Sequence, residues 1–329
     1  KQIADRLGGD RCLWGGFSPY KDANEALMNG MDISLSGEVW KKAKTIDPDE
    51  LSNAADYEQA IFDYLSDTQM TLGEAFPWAK TEGKIGLRPG ETTVWAGING
   101  HGKSQLVGHV AVDSMSKGHR WCIASMEFKP HKLLARMCRQ ITGISQPQSD
   151  PVWQRCMDFL RGHCWMFDVQ GTAKADALID VFEYAYRRYG VDNFLVDSLA
   201  KCGLGEDDYN GQKKFVDRLS DFARDHGVNV HLVCHSRKGQ SESDIPDKLD
   251  IKGTGSITDM VDNVYIVWRN KPKEEAQQKG DESRNEEADC ILNCCKQREG
   301  EWEGKTRLWF DRASLQYLEF ENDGPVRYC

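Results

Sequence analysis

Residues Gly97-Ile98-Asn99-Gly100-His101-Gly102-Lys103-Ser104 lie between a short apolar run and a helical one. They match G-x-x-x-x-G-K-[ST] in the strand-loop-helix setting that this pattern requires. The chemistry such a loop performs is the cradling of a polyphosphate. Its glycines let backbone N–H groups turn inward around a β-phosphate, and the following helix adds its positive end. Lys103 would neutralise the β- and γ-phosphates, and Ser104 would offer a hard oxygen to a Mg2+ that bridges them. Gly97, Asn99, Gly100, His101, Gly102 and Gln105 complete the predicted nucleotide-binding loop.

Three further strand ends carry reactive groups. The apolar run Asn193-Phe194-Leu195-Val196 ends in Asp197, as a Walker-B strand does when it delivers a carboxylate to the Mg2+ shell. A strand-terminal Asp can equally be a loop or cap residue, and the P-loop upstream is what favours the metal role. Ser125-Met126-Glu127 ends another run, where Glu127 can orient and deprotonate an attacking water. Its bland reading is an N-terminal helix preference just before Pro130. His235 follows the run 229–234 and could bond a γ-phosphate, or be a solvated loop histidine.

These groups need a scaffold that brings strand ends together. Apolar runs at 92–96, 121–125, 164–169, 193–196 and 229–234 alternate with helical segments, which predicts an α/β domain with a mostly parallel sheet. Runs at 263–268, 291–296, 306–310 and 315–320 have short connections, which favour antiparallel pairing at one side. The densely charged stretch 271–289 reads as a mobile surface hairpin tip without a chemical role. Residues 1–40 hold too little apolar sequence to bury a core and read as the end of another domain. Residues 41–85 form a linker carrying an amphipathic helix, with Tyr57, Ala60, Ile61, Tyr64 and Leu65 at helical spacing. Residues 86–329 are the main domain.

The formal net charge of −10 argues against a surface that coats nucleic acid indiscriminately, since that mode needs clustered Lys and Arg. Eleven cysteines without a repeated C-x-x-C pattern indicate neither a zinc ribbon nor a disulfide framework, which fits a reducing cytosol and a cytoplasmic location. No run approaches the roughly 20 apolar residues that span a bilayer, so no membrane partner is expected. The first residue is Lys1 rather than Met, and the chain is expected to be part of a longer one.

Taken in order, the P-loop, Glu127, Asp197 and His235 resemble the superfamily 4 ring helicases of the phage primase-helicase and Twinkle type. Lys21-Asp22-Ala23-Asn24-Glu25 followed by Met28-Asn29-Gly30 is similar to the end of the TOPRIM primase domain of the phage members, whose metal-binding acids would lie upstream. The resemblance implies a RecA-like P-loop NTPase core in a homo-hexamer. It implies hydrolysis of an NTP or dNTP (ATP or dTTP) with Mg2+ at subunit interfaces, driving 5′ to 3′ translocation on single-stranded DNA and duplex unwinding. It also implies a replisome DNA polymerase as partner and, for a phage-encoded chain, a bacterial host cell. The linker helix would dock on the neighbouring subunit; an intramolecular role stays open.

Lys296-Gln297-Arg298 looks like the family's K-x-R element. By local reading alone a Lys and an Arg at alternate strand positions face solvent. The resemblance makes Arg298 an arginine finger acting in trans, whose planar donors stabilise transition-state charge, with Lys296 supporting the same phosphate. It sets Arg269 and Phe310 near the base, by guanidinium and ring stacking; the phage members have Tyr at the latter position, and Phe310 also suits a core.

The family holds single-stranded DNA in a ring channel by inward loops, so a few donors per subunit make a basic lining. The candidate donors are Arg237 and Lys238, and the stretch Lys252, Gly253, Thr254, Gly255 and Ser256. A third segment, 201–214, carries Glu206, Asp207 and Asp208, which repel phosphate. A RecA-type filament and a P-loop kinase or signalling ATPase are the alternatives; the TOPRIM-like tail and the K-x-R element count against the filament.

Overall fold

Strand β1 (Thr92–Ala96) is buried along its whole length, the mark of a strand covered on both faces. Its side chains alternate accordingly: Trp95 enters one core, and Val94 and Ala96 enter the other. In the computed structural model, which describes residues 6–31, 37–47, 51–66, 72–168, 175–204, 208–236, 243–251 and 255–329, β1 is central to a nine-stranded sheet. The other strands are β2 (Trp121–Ser125), β3 (Cys164–Met166), β4 (Asn193–Asp197), β5 (Asn229–Val233), β6 (Asn263–Arg269), β7 (Cys290–Gln297), β8 (Gly304–Phe310) and β9 (Tyr317–Leu318). Their order is β9-β8-β7-β6-β1-β5-β4-β2-β3. Strands β1 to β6 run parallel, and β7, β8 and β9 add antiparallel pairs beyond β6.

Helices cover both faces. On the Trp95 side α1 (Lys103–Ser116), α2 (Pro130–Thr142) and α3 (Trp153–His163) bury Leu106, Val110, Met137, Ile141 and Cys156. On the other side α4 (Ala175–Tyr189), α5 (Tyr209–His226) and α6 (Gly255–Met260) bury Phe182, Phe215, Leu219 and Ile257. Because parallel strands share one direction, the C-terminal ends of β1, β2, β4, β5 and β6 all open on one edge of the sheet, where ligands of such folds collect. Strand β7 starts at that edge, Cys290 opposite Arg269, and ends at the other, Gln297 opposite Asn263.

The chain divides into two compact units, 1–66 and 67–329. In the first, Leu13–Trp14 pairs with Lys44–Thr45, and a helix spans Glu58–Ser66 after an Asn53–Asp56 capping box. Tyr57, Ala60, Ile61, Tyr64 and Leu65 line one open groove there. The division falls inside the expected linker: residues 72–85 go with the second unit, whose core takes in Phe76, Trp78 and Ile85.

Three local expectations need correction. The stretch 271–289 contains a helix, α7 (Lys271–Gln278), with Lys273 and Ala276 buried, so it is not a featureless hairpin tip. The run 315–320 pairs only over Tyr317–Leu318, because Leu315 sits at φ 62, a left-handed turn conformation that breaks the ladder. Gly255 and Ser256, expected in a DNA-contacting loop, open helix α6. Arg237, Lys238, Lys252, Gly253 and Thr254 lie outside the described residues. Among the described residues no helix is long and apolar enough to cross a membrane.

Candidate nucleotide site

The P-loop joins β1 to α1 through two glycines that no other residue could replace without movement. At Gly97 (φ 152) an added Cβ would lie 2.3 Å from the Val267 carbonyl oxygen, and at Gly102 (φ 87) 2.3 Å from the Tyr317 hydroxyl. Gly102 begins α1 with no side-chain cap, so the first N–H groups of the helix are left for a ligand. Lys103 is buried, and its ammonium donates to the carbonyls of Gly97 (2.9 Å) and Ile98 (3.2 Å). Burial lowers its pKa, which Asp197 and Glu127 partly offset.

Backbone bonds fix the neighbouring strand ends. Ser236 N–H donates to the Gly97 carbonyl (3.0 Å), and Met126 N–H to the Asp197 carbonyl (2.8 Å). Glu127 Oε1 then meets two partners, His235 Nε2 at 3.0 Å and the Ser198 hydroxyl at 2.7 Å. The hydrogen bond from His235 pulls the Glu127 carboxyl down to about 2, against the opposing effect of burial.

Asp197 shows the reverse balance. It is 1 % exposed, burial pushes its pKa up to about 6, and among the described residues neither carboxylate oxygen accepts a well-formed hydrogen bond, although Ser104 is close enough to favour the charged form. A buried carboxylate in that condition fits a cation. Among the described residues no group of three or more His, Cys, Asp or Glu could hold a metal by itself. Mg2+ keeps waters and substrate phosphates and takes only one or two protein oxygens, and Asp197 and Ser104 are the residues that could offer them here.

These groups share a cleft of about 800 Å³ lined by Asn99, Gly100, Gly102, Lys103, Ser104, Gln105, Glu127, Asp197, His235, Arg269 and Phe310. The sequence-predicted residues that stay out of it are instructive. His101 is buried, and its Nδ1 accepts the backbone N–H of Arg269 at 3.1 Å; it ties the loop to β6 instead of facing the cleft. Gly97 also lies beneath the lining. Lys296 and Arg298 are at the opposite edge of the sheet. Lys296 donates to the carbonyls of Thr258 (2.8 Å), Asp259 (3.1 Å) and Val261 (2.7 Å) at the end of α6. Arg298 Nη1 pairs with Asp262 at 2.8 Å, and its Nη2 reaches the Asp259 and Met260 carbonyls.

Sequence reading missed Ser198, Tyr317, Arg136, Arg139, Glu274 and Asp289, of which all but Ser198 line the cleft. Ser198, next to Asp197 at a strand end, carried a usable signal. Tyr317, whose ring lies 5.0 Å from that of Phe310, carried none.

A P-loop at the end of the central strand, flanked by acids at two parallel strand ends and by antiparallel strands at one side, defines a P-loop NTPase of the RecA-like kind. The chain belongs to the DnaB-like helicase C-terminal domain family, whose description matches residues 81–322. It is 24 % identical over 298 residues to the Twinkle homolog protein, chloroplastic/mitochondrial, of Arabidopsis thaliana, an alignment covering 82 % of this chain and 42 % of that one. The chain thus spans less than half the length of that relative. Among solved structures it is similar to a DnaB-like replicative helicase described with its interactions with primase, with TM-score 0.67 and 13 % identity, covering 82 % of this chain and 69 % of that one. It is equally similar to a separately solved ATPase domain, with TM-score 0.67 and 13 % identity, covering 83 % and 100 % of the two chains.

Proposed function

We propose that this chain is the motor of a replicative DNA helicase, in which NTP hydrolysis between subunits drives 5′ to 3′ movement on single-stranded DNA. The observation that carries this reading is the separation of the catalytic parts. The cleft contains Lys103, Ser104, Glu127, Asp197 and His235, whereas Lys296 and Arg298 stand at the far end of the eight-residue strand β7, roughly 25 Å away at strand rise. A finger at that distance serves another copy's nucleotide, as in a closed homo-hexamer.

In this reading Lys103 leaves its carbonyl partners for the β- and γ-phosphates, and Asp197 with Ser104 holds Mg2+, which would supply charge neutralisation at those phosphates. Glu127 orients the attacking water. Because His235 bonds the same carboxylate, a γ-phosphate that draws His235 away would leave Glu127 more basic, which ties its basicity to the presence of substrate. Arg298 of the adjacent subunit stabilises the charge that develops on the γ-phosphoryl group. Arg269 and Phe310 contact the base.

DNA contact is assigned to Arg237 and Lys238, which follow His235 closely in sequence, and to residues 252–256, which lead into α6. The helix Glu58–Ser66 offers its groove to a neighbouring subunit. The substrate is an NTP or dNTP, with ATP and dTTP the first to try, and primase and a replisome polymerase are the partners proposed. The deciding experiment is strand displacement on forked duplexes with each nucleotide: unwinding that needs a 5′ tail supports the reading, and hydrolysis without unwinding, with open filaments in electron micrographs, would replace it by a strand-pairing filament.

A further inference from the structure

Between β6 and β7 the chain makes an excursion through α7 that a plain hairpin would not need, and this excursion forms one wall of the cleft. Arg269, the last residue of β6, and Glu274, on the first turn of α7, form a bidentate pair, Nε to Oε1 at 2.6 Å and Nη2 to Oε2 at 2.7 Å. Both line the cleft.

The helix that carries Glu274 is anchored from within. The Asn270 side-chain oxygen caps α7 by accepting the Lys273 N–H (3.1 Å), while its amide donates to the Glu287 carboxylate (2.8 Å) and the Ala288 carbonyl (3.1 Å). Lys273, 3 % exposed, donates to the Glu287 carbonyl at 2.6 Å and pairs with Asp289 at 2.9 Å. Asp289 accepts the Phe310 N–H at 2.9 Å. One network therefore fixes both groups at this end of the cleft, Arg269 through Glu274 and Phe310 through Asp289. A buried Lys and a buried Asn with satisfied partners are not what a solvated charge run contains.

A guanidinium beside a triphosphate site has a competing option, which is to swing onto the phosphates, since Arg is a strong bidentate phosphate ligand. A carboxylate that occupies the guanidinium edge removes that option and leaves the flat face available. We propose that Glu274 is a positioning residue for nucleotide binding, which holds Arg269 as a flat, charge-compensated surface for the nucleobase. The inference rests on the reading of the cleft as the nucleotide site. It gives the 271–289 excursion a role in affinity, away from the reacting phosphate.

The experiment is a double-mutant cycle on the full chain, with ATP and dTTP as probes. Equilibrium binding and steady-state hydrolysis are measured for the unaltered chain, Arg269→Ala, Glu274→Gln and the double variant. Loss of the stack in Arg269→Ala should weaken binding about fivefold to tenfold. Glu274→Gln, which keeps shape and removes charge, should weaken it about threefold, with the loss larger in KM than in kcat. The double variant should bind no more weakly than Arg269→Ala alone, because Glu274 acts through Arg269.

Equal losses from Glu274→Gln in both backgrounds would overturn the inference, as would unaltered binding by Glu274→Gln where Arg269→Ala is impaired. Normal binding by Arg269→Ala beside loss in Lys103→Ala would overturn it by removing the base contact while the cleft keeps its nucleotide. Normal binding by Lys103→Ala as well would bring down the nucleotide site itself. If Glu274→Gln lowers the unfolding midpoint, Glu274→Asp, which keeps the charge and withdraws it by one methylene, enters the same cycle with the same expected non-additivity.

Discussion

At one edge of the sheet five strand ends meet around an open cleft; at the other, β7 delivers two cations onto the end of α6. Two charges of the first edge, those of Asp197 and Lys103, are left short of protein partners among the described residues. Among these residues Asp197 has two buried oxygens without a good donor, and Lys103 has backbone carbonyls as its hydrogen-bond partners. The cations of the second edge are satisfied within their own chain, Lys296 by three carbonyls and Arg298 by Asp262 and two more. The contrast teaches which side must wait for a ligand. A buried charge without a partner is costly until something binds, whereas a half-exposed guanidinium at 45 % can exchange one set of acceptors for another.

The comparison breaks most sharply on the two cations that represent its edges. Lys103→Ala should abolish hydrolysis and weaken nucleotide binding, and Arg298→Ala should remove hydrolysis by about 10³-fold or more, the scale of a lost arginine finger, while leaving ring assembly and nucleotide binding nearly intact. Mixing the two should restore activity above their sum, because some interfaces then hold an intact cleft and an intact finger. No recovery in rings shown to be mixed, and none in a fused dimer with one good interface, would put Arg298 in its own chain's service.

Glu127→Gln should keep nucleotide and DNA binding and lose about 10²-fold in turnover, the scale of a lost general base. A variant that turns over normally moves the base elsewhere.

Neutralising Arg237, Lys238 and Lys252 together should lower DNA affinity and flatten its salt dependence, since each phosphate contact removed reduces the slope, while DNA-free hydrolysis continues. An unchanged slope would assign the DNA to another surface.

The smallest expected effect concerns stability. The Glu127 carboxyl is held at about 2, below its ordinary value, so its bond to His235 stabilises the fold above the ordinary Glu range and that contribution fades as pH falls from about 4.5 towards 2. Unfolding midpoints of the unaltered chain and Glu127→Gln should therefore differ near neutrality and converge over that window. A difference that persists to the bottom of the window would mean that the pair contributes no pH-linked stability.

Much of this was legible in the residues. The P-loop shows itself by its motif, and the strands before Glu127, Asp197 and His235 are mostly apolar because both sheet faces are covered, so such runs show themselves without any knowledge of partners. The excursion through α7 stayed hidden because its charges look solvated until Lys273 is seen beside Asp289 across the hairpin. His101 misled because the variable positions of the motif say nothing about side-chain direction. Tyr317 and Asp262 act through contacts between distant segments, which periodicity does not encode.

The bonds that Arg298 makes to its own chain bear on how a ring of such subunits takes turns. An interface without nucleotide leaves no stranded guanidinium, since Asp262 holds it at 2.8 Å. The electrostatic pressure for every interface to fill at once is thereby removed. In the proposed ring, neighbouring interfaces would then be free to stand at different stages. Occupancy in that ring could pass from one interface to the next without every interface having to hold nucleotide for its charges to balance.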